Sequence, residues 1–229
     1  GAVGALEDHY DIHGEALGFA VASVLIGAAA GAMTAGRFAD RFGRLFVMKV
    51  AAVLFVISAL GAGLIGAGTG GIDAAGDVIP DDSTLNLWLF IFFRVIGGAG
   101  VGIASVIAPA YIAEVSPARI RGRLGSLQQL AIVTGIFLSL LIDFLLANAA
   151  GGAREDLWLG LEAWRWMFIV MAVPAVAYGV LSLTIPESPR FLVAKQRIPE
   201  ARKVLTLLLG ELVEPLLSVG VEGVEMVKD

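Results

Sequence analysis

The sequence contains no cysteine and only two histidines, His9 and His13. Without cysteine the protein has no disulfides and no thiolate chemistry, and two histidines provide few ligands for a metal ion. His9 and His13 lie in an acidic segment, where we expect solvated side chains rather than a metal site. No nucleophile stands beside a base, so we predict that the protein is not an enzyme and requires no cofactor.

Charged residues are also scarce in this sequence. They make up 16% of it and hydrophobic residues 58%, whereas a typical soluble domain has about 25% charged and about 45 to 50% apolar residues. The mean hydropathy is +0.85. These values predict a protein of the lipid bilayer. The net charge of −5 arises from acids in one set of loops and bases in the other, and it implies no nucleic-acid partner.

Five apolar runs are long enough to cross a membrane as helices, because a bilayer core of roughly 30 Å takes about 20 helical residues. No run alternates polar and apolar residues as a transmembrane β-strand does, so we predict an all-α bundle. Pro109 and Pro174 lie within spans and are expected to kink them. The start of the chain lacks the features of a signal peptide and looks like the middle of a longer protein. The predicted spans are 17–35, 46–67, 85–113, 124–147 and 164–185.

The basic residues predict the orientation of these spans. Lysines and arginines concentrate in alternate connections, and such connections are usually cytoplasmic. We therefore expect a multi-pass protein of the cell membrane, with its basic loops in the cytoplasm and its N-terminal segment outside. The bases concerned are Arg37, Arg41, Arg44 and Lys49; Arg119, Arg121 and Arg123; and Arg190, Lys195, Arg197, Arg202 and Lys203.

Small residues within the spans indicate how the helices pack. Gly27 and Gly31, like Gly98 and Gly102, are four residues apart, the spacing that brings helix backbones together in lipid. The run GGAGVG around Gly98 lacks both the spacing and the preceding strand of a nucleotide-binding loop. We therefore predict close helix packing rather than nucleotide binding at these glycines.

Five motifs, in order along the chain, resemble those of one protein family. The segment GRFADRFGR at 36–44 looks like the cytoplasmic loop signature of the major facilitator superfamily. Four more segments are similar to motifs of its sugar porter family: RVIGGAGVG at 94–102, PAYIAEVSPARIRGRL at 109–124, the glutamine pair at 128–129 and PESPRFL at 186–192. Together these motifs extend over nearly the whole chain.

The resemblance implies both a fold and a function. The five spans would be helices two to six of a twelve-helix transporter, which is the N-terminal six-helix half without its first helix. Such a transporter moves a monosaccharide by alternating access around a central site, often with a proton. The first helix and the C-terminal half would be partners of this chain within one protein. Residues 1–185 would form the partial bundle, and 186–229 a cytoplasmic linker with short amphipathic helices.

Arg94 lies well inside a predicted span, where an unpaired charge costs about 2.5 to 3.5 kcal/mol. In proton-coupled sugar porters the matching arginine faces an aspartate of the first helix, so the resemblance implies that Arg94 takes part in proton coupling. Asp143 lies at a similar depth, and one hypothesis is that it pairs with Arg94. The alternatives are an arginine bonded to backbone carbonyls or water, and an aspartate hydrated in an outer vestibule.

Gln128 and Gln129 are adjacent, so a helix directs them about 100° apart and they cannot face one cavity equally. The resemblance places Gln129 where a glutamine hydrogen-bonds sugar hydroxyls, followed on the same face by Ile132 and Ile136, with Gln128 as a second candidate. Amides with apolar walls suit a sugar site. The alternatives are an interhelical amide bond for Gln129 and plain packing for the isoleucines. Some xylose-type porters have a glutamine where this chain has Ile136.

Charged residues at the predicted inner ends of the spans form a candidate cytoplasmic gate, in which ion pairs would form and break as the two halves rock. The alternative is that they only set the topology, since an exposed ion pair contributes about 0 to 1 kcal/mol. The expected groups are Asp40 with Arg41 and Arg44, Glu114 with Arg121, and Glu187 with Arg190.

The fifth span begins with Trp164, Arg165 and Trp166. Aromatic rings at that position are expected to anchor the span at the membrane interface. The resemblance to sugar porters implies a monosaccharide transporter that works by proton symport. A facilitative sugar uniporter, a sugar sensor built on a transporter fold and a non-functional fragment are the alternatives.

Overall fold

The computed structural model describes residues 2–10, 14–65, 71–72, 78–79, 84–117 and 119–209. Within these ranges the chain forms nine helices and two short antiparallel hairpins. The helices are α1 (Ala2–His9), α2 (Glu15–Phe42), α3 (Arg44–Leu64), α4 (Thr84–Val115), α5 (Arg121–Ala150), α6 (Ala163–Val170), α7 (Ala172–Thr184), α8 (Pro189–Ala194) and α9 (Ile198–Leu209). The hairpins pair β1 (Gly71–Ile72) with β2 (Val78–Ile79), and β3 (Asp156–Trp158) with β4 (Leu161–Glu162).

Five helical stretches are long and apolar enough to cross a membrane: α2, α3, α4, α5, and α6 together with α7. The predicted all-α membrane bundle is therefore confirmed. The ends of the helices differ from the predicted spans. α2 continues past Ala35 to Phe42 and ends where Gly43 adopts a φ of 101°. Residues 66–67, at the end of the second predicted span, lie outside the described residues.

Helices α2 and α4 pack with their backbones in contact, and glycines make this possible. A Cβ atom on Gly27 would overlap the carbonyl oxygen of Val95 on α4, and one on Gly98 would overlap a carbonyl oxygen of α2. Gly31 and Gly102 make equivalent contacts one turn further on. The close helix packing predicted at these two glycine pairs is therefore present between α2 and α4.

The fifth span is interrupted at Met171, between α6 and α7. Pro174 follows within one turn, and it has no N–H with which to bond the carbonyl of Val170. The amide of Met171 bonds the carbonyl of Phe168 at 3.1 Å, which is a tighter turn than that of an α-helix. The irregularity near Pro174 is therefore a local tightening of the helix at Met171, whose backbone stays right-handed helical with φ −62° and ψ −18°. Pro109, in contrast, lies inside the continuous helix α4.

Two clusters of buried side chains stabilise opposite ends of the bundle. The first includes Phe90, Trp164 and Met167, near the starts of α4 and α6. The second includes Ile107 and Tyr111, near the end of α4 and the start of α3. We call the first the acidic end and the second the basic end, after the charges of the neighbouring connections. Helix α5 contributes no buried side chain to either.

We expect Gly27→Val to destabilise the full-length protein by about 1 to 3 kcal/mol or more, because overpacking a close contact forces backbones apart. The matched control is Gly18→Val on the same helix, since a Cβ atom there meets nothing within 4 Å. Thermal unfolding in detergent, followed by size-exclusion chromatography, should show a lower melting temperature for Gly27→Val only. Equal melting temperatures for the two variants would contradict the packing described.

Candidate functional site

Arg44 is the centre of a charged network at the basic end. Its Nη2 and Nε atoms each lie 3.0 Å from a different carboxylate oxygen of Glu114, which is in the last turn of α4. The two side chains are only 12% and 10% exposed. A two-point contact between a guanidinium and a carboxylate is among the stronger ion pairs in proteins, so this pair joins the start of α3 to the end of α4.

The same guanidinium also bonds the end of α2. Its Nη2 lies 3.0 Å from Oδ1 of Asp40, which is itself largely exposed. Its Nη1 donates to the carbonyl of Ala39 at 3.1 Å. That carbonyl also accepts from the amide of Gly43 at 3.0 Å, and it lies near the end of α2, where the helix dipole favours a cation. Arg44 therefore connects three helices, which is consistent with its place in a candidate gate.

Glu187 contacts the same region from the segment before α8. Its carboxylate accepts hydrogen bonds from the backbone amides of Arg44, at 3.1 Å, and Leu45, at 3.2 Å. These amides begin α3 and have no partner within the helix, and the helix dipole favours an anion there. Gly43 is necessary for this approach, since a Cβ atom on it would overlap the Glu187 carboxylate.

Two hydroxyl groups complete the network. Ser188 donates to Oε2 of Glu114 at 2.5 Å and caps α8 by accepting from the amide of Phe191. Tyr111 donates to the carbonyl of Pro186 at 2.7 Å. No role for either hydroxyl was predicted from the sequence. Ser188 lies before a proline at a helix start, which is a recognisable capping signal in the sequence. Its bond to Glu114 on α4 joins residues 74 positions apart, so no nearby sequence pattern predicts it.

Two of the predicted pairings at this end are wrong. Glu114 pairs with Arg44 rather than Arg121, and Glu187 bonds backbone amides rather than Arg190. Arg121 and Arg190 are exposed and make no hydrogen bond or ion pair with the described part of the chain. The reason is geometric, since Glu114 faces the start of α3 while Arg121 begins the separately exposed helix α5. Arg41 is also exposed and lies over the ring of Phe42, 5.1 Å from its centroid.

Arg94 lies half-buried on α4 and contacts two neighbouring helices. Its Nη2 donates to the carbonyl of Val21 on α2 at 3.3 Å, and its guanidinium carbon lies 5.7 Å from the ring centroid of Phe168 on α6. Asp143 is half-buried on α5 and has no hydrogen-bond or ion-pair partner among the described residues. The structure therefore does not bring Arg94 and Asp143 together as a pair.

Helix α5 presents the candidate sugar-binding residues on its surface. Gln129, Ile132 and Ile136 are exposed, whereas Gln128 is half-buried. At about 100° per residue, Asp143 lies within about 40° of Gln129 around the helix axis. The glutamine pair is thus divided between two faces, as adjacent residues must be. Gln129 shares its face with both isoleucines and with Asp143.

A second ionic cluster, at the acidic end, was not foreseen. Arg165 is 2% exposed and donates from Nε to Oε2 of Glu162 at 3.0 Å and from Nη1 to the carbonyl of Ile65 at 2.5 Å. Its Nη2 lies 2.9 Å from Nε2 of His9. Trp164 also donates to Glu162, at 2.9 Å. We call His9, Glu162, Trp164 and Arg165 the acidic-end cluster.

This cluster overturns two expectations. His9 is 1% exposed at the end of α1, not solvated in a loop, and Trp164 is fully buried, not an anchor at the membrane interface. Glu162 and Arg165 flank Trp164 in the sequence, and the guanidinium carbon of Arg165 lies 4.5 Å from the Trp164 ring centroid. His13 lies outside the described residues. In the described part of the chain no group of three or more potential ligands could hold a metal ion.

The electrostatics of the acidic-end cluster follow from its geometry. Burial by itself raises the pKa of the Glu162 carboxyl, but the contacts with His9 and Arg165 lower it more, so the pKa lies below its ordinary value. A carboxylate of this kind contributes stability above the pKa it has in the unfolded chain, and that stability is lost as the pH falls through the folded pKa. Glu162 is therefore ionised at neutral pH.

The sequence and the fold of this chain are similar to those of known proteins. The sequence model described as "Sugar (and other) transporter" matches residues 6–219. The glucose transport protein of Synechocystis sp. is 50% identical over 206 residues, covering 90% of this chain and 40% of that protein. The D-xylose-proton symporter of Escherichia coli is 38% identical over 200 residues, covering 85% of this chain and 38% of that protein.

Solved structures agree with the sequence relatives. The partially occluded inward-open conformation of the xylose transporter XylE from E. coli has a TM-score of 0.80 and 34% identity, over 99% of this chain and 53% of that one. A XylE structure bound to 6-bromo-6-deoxy-D-glucose has a TM-score of 0.81 and 35% identity, over 93% and 45%. The chain spans about two-fifths of the length of these curated relatives. It belongs to the sugar transporter family of the major facilitator superfamily.

We expect Glu114→Gln to destabilise the full-length protein by about 3 kcal/mol, because removing one partner of a buried ion pair leaves the Arg44 charge uncompensated. The control is Arg121→Gln, an exposed arginine without an ion pair in the described structure, which should change stability by less than about 0.5 kcal/mol. Thermal unfolding of both variants in detergent checks this difference. Similar melting temperatures would show that the Arg44–Glu114 pair is not important for stability.

Proposed function

We propose that the full-length protein is a secondary transporter that moves a monosaccharide across the cell membrane by alternating access, together with a proton. The observation that carries this proposal is the exposed face of α5, which presents Gln129 beside Ile132 and Ile136 in a chain of the sugar transporter family. Transport makes and breaks no covalent bond, so the protein is not an enzyme under this proposal.

The chemistry of this face suits a sugar. A primary amide both donates and accepts hydrogen bonds, so Gln129 can bond a vicinal pair of hydroxyls. Apolar side chains such as Ile132 and Ile136 can pack against the C–H face of a pyranose or furanose ring. The half-buried Gln128 is the second candidate, and its position favours a contact with neighbouring helices. Relatives named for glucose, xylose and arabinose transport support a monosaccharide.

The Arg44 network is our proposed cytoplasmic gate, with Asp40, Glu114 and Glu187 as its acidic members. The basic end faces the cytoplasm under this proposal, because lysines and arginines concentrate in its connections. Ser188 and Glu187 attach the segment before α8 to α3 and α4. Breaking these bonds as the two halves rock would change the balance between inward-open and outward-open states. The exposed Arg41, Arg121 and Arg190 are available for contacts with other parts of the transporter.

Arg94 and Asp143 are the proposed proton-coupling residues. Arg94 contacts both α2 and α6. If a nearby carboxyl binds or releases a proton, the guanidinium of Arg94 can shift and alter its contacts with both helices. Asp143 is a carboxyl on the same face of α5 as Gln129, where sugar and proton binding can influence each other. A facilitative uniporter would lack this link, and the two modes differ in their response to a pH gradient.

Uptake by proteoliposomes tests the proposal directly. The full-length protein is reconstituted, and uptake of radiolabelled glucose, xylose and arabinose is measured with and without an inward proton gradient. Uptake that the gradient stimulates supports symport, and uptake that the gradient does not change indicates a uniporter. A protein that binds one of these sugars but does not move it would overturn transport in favour of a sensor.

We expect Gln129→Ala to weaken sugar binding about tenfold or more, because an unmet hydrogen bond in a closed site costs about 1 to 3 kcal/mol. Gln128→Ala is the matched control, with the same truncation one residue away on the half-buried side, and its effect should be much smaller. Isothermal titration with the transported sugar gives both dissociation constants. Equal losses, or a larger loss for Gln128→Ala, would contradict the assignment of Gln129.

We expect Asp143→Asn to reduce the stimulation of uptake by a proton gradient while sugar exchange across the membrane at equal pH continues. The amide keeps the size of the side chain but cannot bind and release a proton. Asp156→Asn, at an exposed position in β3, is the control and should transport normally. If the pH dependence of uptake is unchanged in Asp143→Asn, Asp143 has no part in coupling.

A further inference from the structure

The β3–β4 hairpin has an apolar tip on the surface of the acidic end. Its register pairs Trp158 with Leu161, so Leu159 and Gly160 form a two-residue turn between the strands. Leu159 is 88% exposed and Trp158 is 60% exposed. Neither side chain belongs to the buried cluster at this end of the bundle, and neither takes part in the proposed sugar site or gate. Packing within the described chain therefore does not account for the tip.

The backbone of the turn does not favour a leucine at this position. Leu159 has a φ of 59° and Gly160 a φ of 68°. Turns with a positive φ at both central residues usually contain Asn-Gly or Asp-Gly, because most other side chains adopt this left-handed conformation only at a cost in free energy. A strained leucine that is also exposed to solvent points to an interaction outside the described chain.

The hairpin lies against the first turn of the fifth membrane span. Trp166 is the fourth residue of α6, which places it about 4.5 Å inside the start of that helix. Its Nε1 donates to the carbonyl of Trp158 at 3.2 Å, and the two rings meet edge-on with their centroids 5.7 Å apart. Trp166 follows the buried Trp164 by two residues, so its side chain lies about 200° around the helix from that ring. The tip is therefore beside the span, on the side away from the buried cluster.

An apolar surface continues from this hairpin along the spans. Val173 and Val180 of α7 are exposed, and they follow Trp166 at seven-residue intervals, which keeps all three on one face. Helix α3 packs against both α6 and α7 and has an exposed stripe of its own. Arg165 is the only charged residue in 50–64 and 163–184, and it is buried. The exposed stripe of α3 consists of Val53, Ile57, Leu60 and Leu64.

The chemistry of this surface indicates lipid rather than another part of a transporter. Helix α5 exposes an amide and has a half-buried carboxyl, at Gln129 and Asp143, and such groups in a span usually face protein or water. The stripes of α3 and α7 have no charged group. At the end of such a surface, tryptophan is the residue enriched at the boundary between headgroups and acyl chains, because its ring is apolar and its N–H is polar.

We propose that Trp158, Leu159 and Trp166 form an anchor that inserts into the bilayer surface at the acidic end and fixes the depth of the fifth span. Trp166 keeps the anchoring role predicted from the sequence, and Trp158 takes the place of the buried Trp164. Insertion surrounds the Leu159 side chain with acyl chains, which offsets the strain of its backbone. The anchor requires neither a sugar nor transport, so it can be tested separately from the proposed function.

Spin labelling of the full-length protein in liposomes tests this proposal. The described chain contains no cysteine, and any elsewhere is replaced before Leu159→Cys is labelled with a nitroxide. Electron paramagnetic resonance then measures collisions of the label with oxygen, which concentrates in lipid, and with a nickel chelate, which stays in water. Asp156→Cys is the matched control, because it is exposed on the same hairpin and shows whether the label alone draws the hairpin into the bilayer.

We expect the nickel-to-oxygen ratio to be about tenfold lower at 159 than at 156, the difference that burial of one leucine-sized side chain produces. Adding Trp158→Ser should raise the ratio at 159 towards the control, since the anchor loses its exposed ring while the bundle keeps its buried residues. Equal ratios at the two positions would overturn the proposal, as would a ratio that Trp158→Ser leaves unchanged. Few collisions with either reagent at 159 would show that protein covers the tip, which also overturns it.

Discussion

The contact between the backbones of α2 and α4 is the constraint on which the rest of the bundle depends. In lipid, helices gain little from burying apolar side chains against each other, because the surrounding acyl chains are equally apolar. Close approach at Gly27 and Gly98 replaces that missing driving force with dispersion between main chains. It also places the half-buried Arg94 within reach of the carbonyl of Val21, so the same contact provides the guanidinium with a backbone hydrogen bond.

The network at the basic end builds on this pair of helices. Because α2 and α4 are held together along their length, their ends converge on Arg44, and one guanidinium can bond both. Glu187 then bonds the start of α3, and Ser188 bonds Glu114 at the end of α4, so the segment before α8 is attached to both helices. The bonds of Glu187 to the first amides of α3, and of Arg44 to a carbonyl near the end of α2, involve helix termini, where backbone groups need partners. The network therefore stabilises helix ends as well as neutralising charge.

Much of the fold could be predicted from the sequence, because the length and hydropathy of each span, and the four-residue spacing of the glycines, are local properties. Charge pairing was not predictable in the same way. Glu114 has Arg121 nearby in sequence, yet it pairs with Arg44 across 70 positions, since only tertiary packing decides which cation it faces. His9 was misjudged for the same reason. Its neighbours in sequence are polar, and its burial comes from α6.

The junction at Gly43 has a mechanical consequence. Helix α2 ends at Phe42 and α3 begins at Arg44, so a single residue connects two membrane-length helices. That residue has a φ of 101°, and the Glu187 carboxylate packs against it. Because only one residue separates the two helices, the end of α2 cannot be displaced far without displacing the start of α3 and the Glu187 contact with it.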